Sequence, residues 1–338
     1  MRSIAFFNNQ GGVGKTTLVY HLAWMFQELG HRVLAADLDP QANLTAMFLT
    51  DDRLEDLWPE EGPHLSVLGT LDPIMRGIGD LGSPQLEELD DALALLVGDL
   101  GLSRFEAKLS GAWPDCLSRD EAAFRIVSAF YRLLVNAAED QRADLVLIDV
   151  GPNLGAINRS ALLAADYIVV PLAPDLFSLQ GLRNLGPTLE EWRVDWADRL
   201  DRSPEGTDLN LPQGTLQPLG YVVMQHAVRL DRPVKAYAKW SRRIPGEYLA
   251  HVLGRGSGDA PVEEEDPHCL ALIKHYRSLV ALAQEARKPM FFLKTADGAL
   301  GSHAAAAVEC YDAFKSLAER IVEKSGAVVK GGDLPDSN

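Results

Sequence analysis

Cysteine is scarce in this 338-residue chain. The three present, Cys116, Cys269 and Cys310, are far apart and form no C-x-x-C. That excludes a disulfide framework and argues against a thiolate zinc or iron–sulfur centre. It fits a reducing cytoplasm. Long apolar runs are also lacking: no stretch reaches the ~18 residues of a membrane-spanning helix. The chain enters a strand-like run, Ile4–Phe7, without the layout of a signal peptide. The C-terminal stretch is short and broken by Gly and Pro, with no basic–apolar face to lie on a membrane. Positive charge is in short supply as well. Lys and Arg number 32 against 48 Asp and Glu, a formal net charge of −16.

That deficit is uneven. From Asp51 to Glu121 there are 17 acidic against 5 basic residues, a net of −12, whereas Arg229–Arg243 holds six basic residues against one acidic, a net of +5. A basic island on an acidic body leaves nucleic acid open as a partner.

What the chain has in abundance is apolar residues, 47% of the whole, arranged as short runs between helix-like segments. Ile4–Phe7, Val33–Ala36, Leu93–Val97, Leu145–Ile148, Tyr167–Val170, Leu219–Met224 and Met290–Leu293 are the strand candidates. Most are nearly continuous, as suits strands buried on both faces of a parallel sheet. Helices are expected over Lys15–Leu29, Ser118–Asp140, Ser178–Trp196, Leu270–Ala286 and His303–Val322. The second opens with Ser118-x-x-Glu121, the pattern of a capping box. The alternation predicts an α/β fold, a doubly wound, mostly parallel sheet flanked by helices. A single domain is expected over residues 1–325, with an acidic insertion at about 51–83 on the sheet's edge and a frayed tail at 326–338. Arg202–Gly214 and Gly254–Pro267 read as loops. Gly77-Ile-Gly79-Asp-Leu-Gly82 matches G-x-G-x-x-G, but no clean strand precedes it and Pro84 follows, so it reads as a loop too.

The chemistry lies early. Strand, then Gln10-Gly11-Gly12-Val13-Gly14-Lys15-Thr16-Thr17, then helix, is the layout of a phosphate-binding loop. Backbone N–H groups surround the phosphates, the helix N-terminus adds positive potential, and glycines allow close approach. Lys15 is expected on the β- and γ-phosphates and Thr16 on Mg²⁺. Asn9 stands where the full pattern has its first Gly. Two strand candidates end in carboxylates, Asp37-Leu-Asp39 and Asp149, where a parallel strand's carboxyl end faces a ligand crevice. Asp37 and Asp149 are the candidate metal-side acids, with Asp149 preferred. Asp39 is the candidate for orienting an attacking water.

QGGVGKTT, DLDPQANLT, LVLIDVGPNLG and VVPLAPDLFSLQGLRNL, in that order, resemble the successive motifs of the ParA/MinD-type, deviant Walker A ATPases. LLVGDLGLSRFE and KPMFFLKTADGALG resemble later segments of ParA. The likeness runs over about 1–50 and 90–325 and is nearest the partition type. It implies ATP/ADP and Mg²⁺ as cofactors and a homodimer that sandwiches nucleotide. It also implies a ParB-like or other activating partner, and a cytoplasmic protein able to associate with the nucleoid. It places the adenine near Met224 and Gln225 and near Lys294 and Thr295. It also implies that the residue at position 10 is a Lys reaching the partner's phosphates. Gln10 has similar reach but no net charge. Losing one such donor commonly costs a few kcal/mol of barrier, a rate factor of roughly a hundred. Two functions follow from this reading: a slowly hydrolysing dimerisation switch, and a nucleotide-gated module with impaired hydrolysis. Arg229, Arg232, Lys235, Lys239, Arg242 and Arg243, mixed with Tyr237 and Trp240, are the candidates for sequence-independent DNA binding.

Overall fold

The computed structural model describes residues 1–206, 208–225, 239–255, 266–276, 278–299 and 301–328. Among the described residues eight strands form one sheet. They are β1 (Arg2–Phe6), β2 (Val33–Asp37), β3 (Leu86–Asp90), β4 (Leu93–Leu96), β5 (Leu145–Asp149), β6 (Tyr167–Leu172), β7 (Gln217–Gln225) and β8 (Cys269–Lys274), in the spatial order β3-β4-β2-β5-β1-β6-β7-β8. All neighbours pair in parallel except the hairpin of β3 with β4. Side chains alternate faces along a strand, so β1 sends Ala5 into one core and Ile4 and Phe6 into the other. The central strands are therefore apolar throughout, as expected of a sheet covered on both sides.

Helix α1 (Lys15–Glu28) covers one face together with α12 (Ser302–Ser325). The other face carries α4 (Val67–Arg76), α5 (Phe105–Asp115), α7 (Ala129–Gln141), α8 (Ala156–Leu163) and α9 (Leu176–Leu200). Shorter elements join them: α2 (Asn43–Phe48), α3 (Asp51–Leu57), α6 (Glu121–Val127), α10 (Ile244–Glu247) and α11 (Ser278–Ala286). None of the described helices is long and apolar enough to cross a membrane.

Several local expectations are corrected. Met290–Phe292 is a 3₁₀ turn after Pro289, not a strand. Leu270–Ala286 is not one helix: Cys269–Lys274 is a buried strand, and helix begins only at Ser278. A short apolar run carries no period that separates the two. Ser118 lies in a 3₁₀ turn that ends at Arg119 with φ 61°. The cap of α6 is Asp120, which accepts from the Ala122 amide. The expected single helix breaks at Ser128, which closes α6 and opens α7. β3 went unforeseen because Leu86-Glu-Glu-Leu-Asp is acidic, as edge strands often are. The 51–83 stretch holds α3 and α4, and Gly77 closes α4 with φ 69°, so the glycine run there is a cap and loop.

Candidate functional site

The sheet sets the site. Phe6 of β1 and Asp37 of β2 both pair with Asp149 of β5, so three strand ends finish side by side. Beyond β1 the chain turns into α1. Gly12 (φ 75°) and Gly14 (φ 89°) take the left-handed conformation that glycine adopts without strain. Gly14 also has the Met224 Cε only 3.0 Å from where a Cβ would stand. Gly14 caps α1 without a side-chain hydrogen bond, and no acid lies in the first turn. The helix therefore presents unsatisfied N–H groups and the positive end of its dipole, an anion site.

Lys15 is buried, and its Nζ donates to the Gln10 carbonyl at 3.1 Å. Burial lowers its pKa, and Asp149 and Asp39 oppose that shift. The two strand-end aspartates differ. Asp37 Oδ2 accepts from the Thr45 amide and hydroxyl, both at 2.8 Å, and Oδ1 accepts from the Asp39 amide at 3.2 Å. Its carboxylate anchors α2, and Gly98 walls it in, with a would-be Cβ 2.7 Å from its Cγ. Burial still pushes its pKa up to about 7. Asp149 is fully buried, and neither oxygen has a hydrogen-bond partner of normal geometry. Burial and the nearby Asp37 raise its pKa well above the usual range, while adjacent Thr16 and Lys15 favour its charged form. A buried, unpartnered carboxylate calls for a cation. With Thr16 beside it, Asp149 fits Mg²⁺, which binds through one or two protein oxygens plus phosphate and water. Among the described residues no group of three or more His, Cys, Asp or Glu is arranged to hold a metal, and such a site needs none.

Asp39 lines a cavity of about 660 Å³ that opens from the loop. Its Oδ1 accepts from the Gln41 amide at 3.0 Å. One end of the cavity is Gly11, Gly12, Gly14, Lys15 and Thr16; the wall continues over Tyr20, Met47, Ala283 and Arg287. Of the loop residues, Val13 is buried and Thr17 lines the cavity. Gln225 ends β7 beside Met224. Lys294 and Thr295 are not brought to this cavity; they line a separate one of about 450 Å³ with Phe291 and Tyr311.

Four contributors have no mark in the sequence. His21 donates from Nδ1 to the Thr17 carbonyl (2.7 Å) and accepts the Met290 amide at Nε2 (3.1 Å). It is buried and stacked on Phe314, and burial lowers its pKa to about 4, so it joins α1 to the 290s turn as a neutral ring. Arg287 donates to the carbonyls of Ala46 and Leu49, closing the end of α2. Glu106 accepts the amides of Ala156 (2.6 Å) and Ile157 (2.9 Å), capping α8 from another helix. Asn158 donates to the Gly151 and Asn153 carbonyls, fastening the loop after β5.

Among the basic candidates, Arg229, Arg232 and Lys235 lie outside the described residues. Lys239, Arg242 and Arg243 are exposed. Lys239 and Arg243 sit over the Trp240 ring at 4.5 and 5.3 Å, and Arg243 also pairs with Glu247 at 3.2 Å.

A parallel sheet, a glycine loop leading into an uncapped helix, and aspartates on the neighbouring strand ends define the P-loop NTPase class. A profile of the AAA-domain family matches residues 1–201; the chain belongs to that family, as a ParA/MinD-type P-loop ATPase. The chromosome-partitioning ATPase Soj of Thermus thermophilus is 32% identical over 201 residues, covering 59% of this chain and 66% of that protein. The cell division protein PomZ of Myxococcus xanthus is 32% identical over 199 residues, 58% of this chain and 54% of that one. The chain thus spans less than two thirds of the length of these relatives. In fold, a Corynebacterium diphtheriae protein superposes with a TM-score of 0.68 at 24% identity, covering 96% of this chain and 98% of that one. A Borrelia burgdorferi plasmid partition protein, described as putative and bound to AMPPNP, superposes with a TM-score of 0.56 at 18% identity, covering 96% and 99%.

Proposed function

We propose that the chain is an ATP- and Mg²⁺-dependent dimerisation switch of the partition type, which hydrolyses ATP slowly. The observation that carries this reading is the orphaned Asp149 carboxylate beside an uncapped helix N-terminus. The loop amides and Lys15 bind the phosphates, Thr16 and Asp149 hold the metal, and Asp39 orients water at the cavity mouth. Bound Mg²⁺ supplies positive charge to the phosphate oxygens. Exposed Leu154, on the loop before α8, and Leu176 and Phe177, in the first turn of α9, support self-association on that face, and Lys239 and Arg242 support contact with DNA phosphates. Relatives named for chromosome partitioning and cell division support a cytoplasmic role with a partner protein that stimulates turnover.

A second reading, a nucleotide-gated module with impaired hydrolysis, is favoured by Gln10, whose side chain carries no charge and is already engaged within its own chain. Calorimetry with ADP and Mg²⁺ tests the shared core of both readings, and no binding would end them. Turnover of the wild type against Gln10→Lys separates them. A rise of roughly a hundredfold favours impaired hydrolysis; equal rates favour the slow switch. An ATP-dependent gel shift at low salt that Arg242→Glu abolishes supports DNA binding, and no shift removes it.

A further inference from the structure

Gln10 occupies the entrance of the phosphate loop, and both ends of its side-chain amide are used. Its Oε1 accepts from the Ser178 hydroxyl at 2.8 Å, and its Nε2 donates to Asp175 Oδ2 at 3.4 Å. Ser178 Oγ itself accepts from the Ala173 amide at 2.9 Å, so its one proton is free for Gln10. A flipped amide would set its oxygen against the Asp175 carboxylate, so the network fixes the orientation. Asp175 is the cap of α9, its other oxygen accepting the Ser178 amide at 2.8 Å. Gly181, one turn into the helix, lets α9 press on the loop's approach: a Cβ there would lie 2.7 Å from Asn9 Oδ1 and 3.2 Å from Asn8 Oδ1.

The same three turns of α9 hold the basic segment. Arg183 makes a two-pronged bond to Glu247, at 2.8 and 2.6 Å. Gly186 meets the backbone of His251 so closely that a Cβ would fall 1.6 Å from its carbonyl oxygen. Glu247 also takes Arg243 and His251, each at 3.2 Å. Gly181 and Gly186 are five residues apart, a rise of about 7.5 Å along the helix.

We infer that Gln10, Asp175 and Ser178 position the phosphate loop on α9, and that α9 passes the state of the loop to residues 239–252 through Arg183 and Glu247. Gln10 then works within its own chain, where an all-positive side chain could not accept from Ser178. A ligand at the loop and a ligand at the basic segment are coupled through one helix, and the coupling is reciprocal. The nucleotide arm of this inference rests on the proposed function; the mechanical link does not.

Amide hydrogen exchange on the 338-residue chain tests it, with wild type, Gln10→Ala and Ser178→Ala each measured without ligand and with ADP and Mg²⁺, and with calorimetry in parallel. Without ligand, both variants are expected to exchange roughly fivefold faster than wild type at residues 244–252, the change that loss of one hydrogen bond gives. Residues 145–149 of the central sheet should be unchanged, which excludes general unfolding. With ADP, wild type should show altered exchange at 239–252, and both variants should lose that response while still binding ADP. Unaltered 244–252 exchange in both ligand-free variants, or an ADP response that survives in them, overturns the inference. Absence of ADP binding alongside faster 244–252 exchange would sink the nucleotide reading and leave the link standing.

Discussion

The ends of β2 and β5 lie in register, and each finishes in a buried aspartate, yet the two carboxylates have opposite surroundings. Asp37 accepts three hydrogen bonds from the segment that follows it; Asp149 accepts none of normal geometry. A strand-end aspartate is thus not one kind of residue. Where the chain folds back over the strand end and supplies N–H and O–H donors, the carboxylate serves folding. Where no such segment supplies donors, the carboxylate stays without a partner of normal geometry, as at Asp149.

The largest expected break in that comparison is at Lys15, the cation beside Asp149 and Asp39. On the proposed function, Lys15→Ala removes the charge assigned to the phosphates and should weaken ADP binding by a factor of about 100 or more, read by calorimetry. Next comes the pair itself. Asp37→Ala leaves the buried Thr45 and Asp39 donors unsatisfied and should cost about 2–4 kcal/mol in denaturant unfolding. Asp149→Asn replaces a buried carboxyl that has no hydrogen-bond partner of normal geometry and should hold or raise the ligand-free Tm, while losing the extra stabilisation that ADP is proposed to gain from Mg²⁺. A loss of stability in both variants would erase the distinction. pH sharpens it. Burial pushes the Asp37 pKa up to about 7 from its ordinary 3.8, so between these values the folded state holds more protons than the unfolded. Stability falls as pH rises through that window, Asp149 adds in the same direction, and the fall should be shallower in Asp149→Asn. The smallest effect is at Glu106. Glu106→Gln keeps a carbonyl acceptor for α8 but loses the charge at its positive end, and should lower the Tm by the equivalent of about 0.5–1 kcal/mol.

Much of this was legible in the sequence because it is contiguous. The phosphate loop, its strand and its helix occupy residues 2–28, and the continuous apolar runs of β1, β2 and β5 marked a doubly covered sheet. What stayed hidden depends on distant partners. His21 meets Met290 across 269 positions, and Glu106 meets Ala156 across 50; no local pattern records such contacts. β8 was hidden because Cys-Leu-Ala-Leu-Ile-Lys suits a helix as well as a strand. The different fates of Asp37 and Asp149 were hidden because both follow an apolar run, and only the path of Ala42–Thr45 separates them.

The acidic edge strand has a consequence for how the molecule behaves in bulk. β3 closes one side of the sheet with Glu87, Glu88 and Asp90, and of these three Arg53 engages Glu87. Two copies approaching through this edge meet like charges at neutral pH. Without those charges the strand would be a row of open amides and carbonyls. Glu88→Gln combined with Asp90→Asn should therefore let concentrated stocks turn turbid through edge pairing, and Glu88→Lys should keep them clear.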